Sequence, residues 1–202
     1  MNMPVRQRLL NAGRDLFASR GFDAVSVREI TARAKANLGA ITYHFGSKEA
    51  LYHAAIDSIA APFAAMIADV AQGPGSPLDR IEKIVRAALS PKSPQPGIPP
   101  MLLRELAGDR PLPPPMARMM KRNLETVSRL IADGQKDGSI RAGDPALLAV
   151  SVVSQPFYFK IAGRAIEQTL GVPRGGDAWS HVIDHVVTSV RRTIAATPSQ
   201  GT

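Results

Sequence analysis

Residues 26 to 46, SVREITARAKANLGAITYHFG, limit what this chain can fold into more than any other stretch. Ser26-Val-Arg-Glu29 has the S-x-x-E form of a capping box, in which the serine and the glutamate satisfy each other's helix-start amides. A short helix therefore begins at residue 27 and passes through Ile30 to about Ala34. Lys35-Ala36-Asn37 breaks it, and Asn37 is well suited to cap a third helix that is itself very short. Before both lies a helix over 4–19, with Leu9, Ala12, Leu16 and Phe17 on one face and Gly21 as its terminating glycine. Residues 27–45 thus read as helix, tight turn, helix, behind a longer first helix.

The rest of the chain continues in the same style. Apolar residues recur at spacings of three and four, and strict alternation is missing, so an all-α protein is expected. Ser47 and Glu49-Ala50 open a long helix that runs past Pro62 to about Val70. QGPGSP at 72–77 is a loop and 78–89 an amphipathic helix. PKSPQPGIPP at 91–100 and PLPPP at 111–115 read as linkers around a short helix, MLLRELAG, because each proline removes a donor and constrains the residue before it. Further helices are expected over 116–137, 145–169 and 178–195, with no internal repeat.

A three-helix unit whose last member is short and preceded by a tight turn has the layout of a helix-turn-helix, which lays that last helix in the DNA major groove. Ile41 and Phe45 turn inward with Ile30, leaving Leu38, Gly39, Thr42, Tyr43 and His44 outward. Gly39 allows close approach to the duplex, Thr42 suits a thymine methyl or a base edge, and Tyr43 or His44 donates to phosphate. Lys48 and the first-turn amides of the next helix form a second phosphate clamp. Arg6, Arg8 and Arg14 are either a solvated face or part of the same basic surface.

Charge agrees with this reading: a formal net charge of +8 and a pI near 10.3 favour a polyanionic partner, nucleic acid before a membrane surface. The chain has no cysteine, so disulfides, thiolate metal sites and cysteine catalysis are excluded. The N-terminus lacks an apolar signal core and no long unbroken apolar run occurs, so a cytoplasmic location without a membrane is expected.

The segment LFASRGFDAVSVREITARAKANLGAITYHFGSKEALY, Leu16 to Tyr52, resembles the N-terminal DNA-binding domain of the TetR family of bacterial transcription repressors. The resemblance rests on G-F-x-x-x-S-V-R-E-I, on the N-x-G-x-I run and on H-F-x-S-K-E-x-L. It implies a homodimer whose all-helical C-terminal domain binds a small molecule and releases a palindromic operator, and it adds Arg28 to the DNA-contacting residues. Lys35 stands where the family usually has glycine, and Thr42 replaces a common tyrosine. The NLGAITYHF variant, with the later Arg104-Glu105-Leu106, is similar to the CecR-like branch.

In the second half, Met116, Met119, Met120, Val127, Leu130 and Ile131 share one face, with Asn123 near its centre. That amide is either a satisfied buried group or one that orients a ligand in an adaptable, methionine-lined pocket. Phe157, Tyr158 and Phe159 add aromatic surface beside Pro156, and Arg104 pairs either within the protein or with an acidic ligand. Arg104, Met116, Met120, Asn123, Val127, Phe157 and Tyr158 are therefore the candidate effector residues.

For dimerisation, Trp179, Val182, Ile183, Val186, Val187, Val190 and Ile194 form one apolar stripe. The preceding helix offers a small-residue face of Ser151, Ser154, Ala162 and Ala165. Two such helices from each subunit make a four-helix interface, although intramolecular burial uses part of the same stripe. His181, Asp184 and His185 imitate a metal pair but lie off the stripe and have no third ligand in a recognisable motif, so no metal or cofactor is expected.

No G-x-S-x-G, Walker loop, CxxC or H-E-x-x-H is present, so an enzyme ranks below a ligand-responsive DNA-binding repressor. A helical interaction adaptor with a degenerate helix-turn-helix is the remaining alternative. The expected organisation is a DNA-binding domain over 1–48, a helical effector-binding and dimerisation domain over 49–196, and a tail over 197–202.

Overall fold

Serine caps at Ser26 and Ser47 start two of the helices at the N-terminal end of the protein. The computed structural model describes residues 3–93, 98–172 and 176–196; the expected tail, 197–202, lies outside them, as does 94–97 of the proline-rich stretch. Among the described residues the helices are α1 (Val5–Arg20), α2 (Val27–Arg33), α3 (Ala40–Phe45), α4 (Lys48–Gln72), α5 (Pro77–Leu89), α6 (Ile98–Leu106), α7 (Pro114–Lys136), α8 (Pro145–Leu170) and α9 (Gly176–Ile194). The first ends at Gly21, whose φ of 82° is open to glycine at little cost.

The capping box at Ser26 forms in full. Ser26 Oγ accepts from the Glu29 amide at 3.2 Å, and Glu29 Oε2 accepts from the Ser26 amide at 2.8 Å. Arg20 Nη1 donates to the other carboxylate oxygen at 2.6 Å. With these donors, the Ser26 amide first and Arg20 next, the Glu29 carboxyl is lowered to about 2.

Three boundaries differ from the expected ones. Asn37 does not cap α3: its carbonyl accepts from the Ala40 amide in a turn, and the helix starts two residues later behind Gly39. Ile98–Leu106 takes in Pro99 and Pro100, and α7 starts at Pro114 with Pro115 inside it. A proline in the first helical turn removes an amide that has no helical partner anyway, so these prolines start helices that the sequence reading had them exclude.

The chain divides into two compact units, Met1–Phe63 with Pro94–Met119, and Ala64–Ser93 with Met120–Thr202. The first unit packs α1 against α2, α3 and α6. Leu9, Phe17, Ile30, Ile41 and Leu51 are fully buried there, and Phe17, Phe22 and Tyr52 form an aromatic cluster with 5.0 Å between Tyr52 and either phenylalanine.

The second unit packs α5 between α8 and α9. Trp179 is tied in by its indole N–H, which donates to the Leu89 carbonyl at 2.9 Å. Gly134 lets the segment after α7 close over it, since a Cβ there would meet Ile140 Cδ1 at 2.5 Å. Trp179, Val182, Ile183, Val186, Val187 and Val190 are all buried within the chain itself. The stripe on α9, which packs with α5 and α8, thus serves the chain's own core, as part of it was expected to.

Helices α4 and α8 are long and apolar enough to cross a membrane, with mean hydropathies of 1.5 and 1.3. In α4 the apolarity turns inward, through Leu51, Ala55, Ile56, Ile59, Phe63 and Ile67. Helix α8 buries Leu148, Val152 and Pro156, yet also exposes Leu147, Val150 and Tyr158, by 68%, 51% and 59%.

Two expected outcomes follow from the turn and the cap. Lys35 has φ +49°, a left-handed conformation that costs a side-chain-bearing residue energy, so Lys35→Gly is expected to raise unfolding stability by about 0.5–1 kcal/mol after glycine's extra unfolded-state entropy is counted. Denaturant unfolding measures it, and a loss of stability contradicts the strain. For Glu29 the folded carboxyl titrates below its ordinary value of 4.5, so its contribution is complete above about pH 4.5 and disappears as pH falls toward 2. Glu29→Gln should accordingly flatten, without abolishing, the pH dependence of stability in that window, because Asp79 and Asp137 are also lowered by bonds from Ser76 and Ser139.

Candidate nucleic-acid interface

The short helix α3 is held from behind and left open in front. Ala40 and Ile41 are buried, while Thr42 and Tyr43 are exposed, Tyr43 by 85%. Ile41 is the inward residue that the sequence indicates; Phe45 is half-buried, and the Arg6 guanidinium lies 4.9 Å from its ring centre. His44 is half-buried and meets the Tyr43 ring edge-on at 4.9 Å, which limits the swing of both rings. Leu38 and Gly39 are exposed as expected, but in the turn before α3 and not on the helix itself.

The turn between α2 and α3 is fixed from the first helix. Arg8 Nε donates to the Ala34 carbonyl at 2.9 Å and Arg8 Nη2 to that of Lys35 at 3.3 Å. Arg8 is thus a clamp on the turn, a use that separates it from the surface cluster in which the sequence placed it. Arg33 bonds Asp15 at 3.2 Å and joins α2 to α1 a second time.

Lys48 opens α4 at the end of the same surface. Its ammonium sits 4.1 Å from the Phe22 ring centre, which holds the cation in place beside the exposed face. Ser47 Oγ accepts from the Ala50 amide at 3.0 Å and caps that helix. Arg28, exposed on α2, keeps its guanidinium in solvent. Arg28, Leu38, Gly39, Thr42, Tyr43, His44 and Lys48 all lie in the first unit, within two short helices, their turn and the start of α4.

The predicted effector residues are not gathered in the same way. Arg104 and Met116 belong to the first unit, and Met120, Asn123, Val127, Phe157 and Tyr158 to the second. Arg104 is committed to the protein: Nη1 donates to the Ala18 carbonyl at 2.8 Å and Nη2 to that of Ser19 at 2.9 Å, closing the end of α1. Met116 and Val127 are sealed in the core, and Tyr158 faces solvent. Met120, Asn123 and Phe157 are half-buried. A shallow polar groove of about 260 Å³ lies along α9, lined by His185, Thr188, Ser189, Arg192 and Thr193, none of them predicted. Asp184, beside the two exposed histidines, pairs with Arg86 at 2.7 Å.

What sequence reasoning missed are contacts between residues far apart in the chain. Tyr52 Oη donates to Glu105 at 2.6 Å, and burial first, then this carboxylate, pushes the phenol above its ordinary range. Arg110 pairs with Asp23. Only the Arg-Glu pair at 104–105 on a short helix hinted at such a role.

A capped α2, a clamped turn and an α3 with an exposed polar and aromatic face define a helix-turn-helix of the DNA-binding kind. Residues 9–55 match the model for bacterial regulatory proteins of the tetR family, so the N-terminal segment of the chain is similar to that family. It is 46% identical over 55 residues to the HTH-type transcriptional repressor Rv3405c of Mycobacterium tuberculosis, a match that spans 27% of this chain and 29% of that protein. Over nearly the whole chain the fold is that of the transcriptional regulator FadR from Bacillus subtilis, solved with stearoyl-CoA. There the TM-score is 0.74 at 14% identity, over 91% of this chain and 96% of that one. AibR, solved with isovaleryl coenzyme A and operator DNA, aligns with a TM-score of 0.69 at 16% identity, over 93% and 98%.

Removing either end of the exposed surface should weaken specific DNA binding. Tyr43→Ala and Lys48→Ala are each expected to cost about 1–3 kcal/mol, with Lys48→Ala also lowering the salt dependence by about one phosphate contact. Titration of labelled operator DNA at several salt concentrations reads both, and unchanged affinity in the two variants removes this surface from DNA recognition. Thr42→Ala is expected to change preference among base-pair variants at one half-site position more than it changes non-specific affinity.

Proposed function

We propose that the protein is a ligand-responsive transcriptional regulator of the cytoplasm, a homodimeric repressor released from a palindromic operator when a small molecule binds. The observation that carries this reading is the mounting of α3: a helix of six residues, anchored by Ile41 and by the Arg8 clamp behind it, with Thr42 and Tyr43 held out to solvent. A helix so short is not stable alone and is immobilised here by its unit, which is what reading base edges requires. Arg28, Leu38, Gly39, Thr42, Tyr43, His44 and Lys48 are the proposed DNA contacts.

In this assignment residues 1–48 read DNA and residues 49–196 carry effector binding and dimerisation. Met120, Asn123 and Phe157, half-buried in the second unit, are the effector residues that keep their proposed role. The acyl-coenzyme A molecules in the two solved relatives of like fold support a small-molecule site in such a helical domain. Within the family, NLGAITYHF and Arg104-Glu105-Leu106 support a place near the CecR-like branch.

Dimerisation uses the last two helices, and beside the stripe on α9 an open face of α8 is available for it. Leu147, Val150, Ser151, Ser154, Tyr158 and Ala165 are exposed at helical spacing, with Ala162 half-buried at its edge. This surface is apolar at its ends and small in its middle, which allows a second copy to approach closely across a two-fold axis. Two DNA-reading units then meet the two halves of a palindrome.

The direct test is a gel shift with DNA upstream of the chain's own gene against an unrelated fragment of equal length. Specific retardation is expected, and equal retention of the two fragments would falsify the reading. For the interface, Val150→Glu places a charge on an exposed side chain and should leave the monomer folded while moving sedimentation toward the monomeric value. Val186→Glu, in contrast, should unfold the chain, since Val186 is fully buried within it. A Val150→Glu protein that sediments as an unchanged dimer moves the interface off α8.

A further inference from the structure

The first unit divides its cations into those that the protein itself pairs and those that it leaves free. Arg14 and Arg33 meet the Asp15 carboxylate, and Arg20, Arg110 and Arg118 meet those of Glu29, Asp23 and Asp57. Arg8 and Arg104 donate to backbone carbonyls. Among the described residues of this unit, Arg6, Arg28, Lys35 and Lys48 have neither kind of partner. The last three fall within residues 28–48, beside the proposed DNA contacts. Arg6 alone stands on α1.

Packing carries Arg6 to the recognition helix. Its guanidinium carbon lies 4.9 Å from the centre of the Phe45 ring, and Phe45 is the last residue of α3. Arg8, two residues on, reaches the turn that leads into α3. Its guanidinium bonds the carbonyls of Ala34 and Lys35 there at 2.9 and 3.3 Å, and that of Met3 at 2.8 Å. The start of α1 is therefore held against the approach to α3 by Arg8 and against its end by Arg6. A ring attracts a guanidinium without using up its N–H donors, and Arg6 is exposed, so those donors face solvent beside α3. The first turn of α1 has no acidic residue, so the positive pole of that helix adds to the charge.

We propose that Arg6 binds a phosphate of the DNA backbone at the edge of the groove that α3 enters, with the Phe45 ring holding its guanidinium at that edge. This inference rests on the DNA-reading role proposed above and extends the interface to α1. A helix lying in the major groove is bordered by backbone phosphates, and a planar guanidinium with free donors pairs with a phosphate through two parallel bonds. A carboxylate beside Arg6 would have neutralised it beforehand, but Asp15, Asp23, Glu29 and Asp57 are each engaged by another arginine. Phosphate contacts fix position and carry no sequence information, so Arg6 sets affinity and salt dependence and leaves base preference alone.

The test titrates the full-length protein into two labelled duplexes of equal length, one from upstream of the chain's own gene and one unrelated, at several salt concentrations. Arg6→Gln should weaken binding to both by a similar factor, about 5- to 20-fold at low salt for each bound protomer. It should also lower the slope of log affinity against log salt by about one per protomer. Arg6→Lys keeps the charge and should restore most of that slope. Arg14→Gln removes a cation already paired with Asp15 and should leave the slope close to wild type. All three variants should melt with wild type, since both side chains are exposed. A wild-type slope in Arg6→Gln overturns the inference, and so does an equal loss in Arg14→Gln, which reduces the effect to total charge. A loss confined to the upstream duplex at unchanged slope overturns it by making Arg6 a base contact. Lost binding accompanied by lost folding, not restored by Arg6→Lys, overturns it by making Arg6 a brace. Any of these beside specific binding of the upstream duplex by wild type keeps the regulator and discards the Arg6 contact. Equal binding of the two duplexes by wild type removes the regulator, whatever Arg6 does to the slope.

Discussion

The first unit depends on the burial of Phe17 and Tyr52 against one another. Phe17 is the α1 residue that carries the aromatic cluster, and Tyr52 brings α4 to it edge-on at 5.0 Å. Because the Tyr52 hydroxyl must keep a partner once its ring is buried, the same contact reaches Glu105 and draws α6 to the cluster. Arg104, the residue before Glu105, then closes the end of α1 through Ala18 and Ser19. A single packing requirement thus ties the helix behind α3 to α4 and to α6, and the exposed Tyr43 stands on a platform braced from three sides.

That platform was partly legible in the sequence, for a physical reason. A capping box, a terminating glycine and the inward Ile30 and Ile41 are local signals, decided within one or two turns of helix, and the structure forms each of them. Lys35 shows the same principle from the opposite side, since the turn needs a left-handed residue whether or not glycine is present. The bonds that brace the platform join residues about 50 to 90 positions apart, as with Tyr52 to Glu105 and Arg104 to Ala18, and no periodicity encodes such partners. Proline was misread because its meaning depends on position: Pro100 and Pro115 occupy first helical turns, where a missing amide costs nothing.

The two helices at the end of the chain show a different limit. The stripe from Trp179 to Val190 says that one face of α9 leaves water, and it does, but hydrophobic burial has no direction and does not distinguish the chain's own α5 from a second copy. Helix α8 carries the complementary information. Its overall apolarity exceeds what one buried face needs, and the surplus at Leu147, Val150 and Tyr158 is left outside. A stripe count draws attention to α9, whereas after packing α8 carries apolar side chains left outside.

The chain changes units inside helices. The division falls after Phe63 inside α4 and after Met119 inside α7, so two continuous helices cross it. In α4 the crossing follows directly upon Pro62, whose missing N–H leaves the Ser58 carbonyl without its helical donor and whose ring crowds the preceding turn. A helix bends at least cost where it already lacks a bond, which makes this the softest point of α4. In α7 no such gap exists, and Met119 and Met120 continue an unbroken apolar face. An effector alters DNA affinity only through a difference in its own affinity for two arrangements of the protein. Within α4, Pro62 is where bending meets the least resistance.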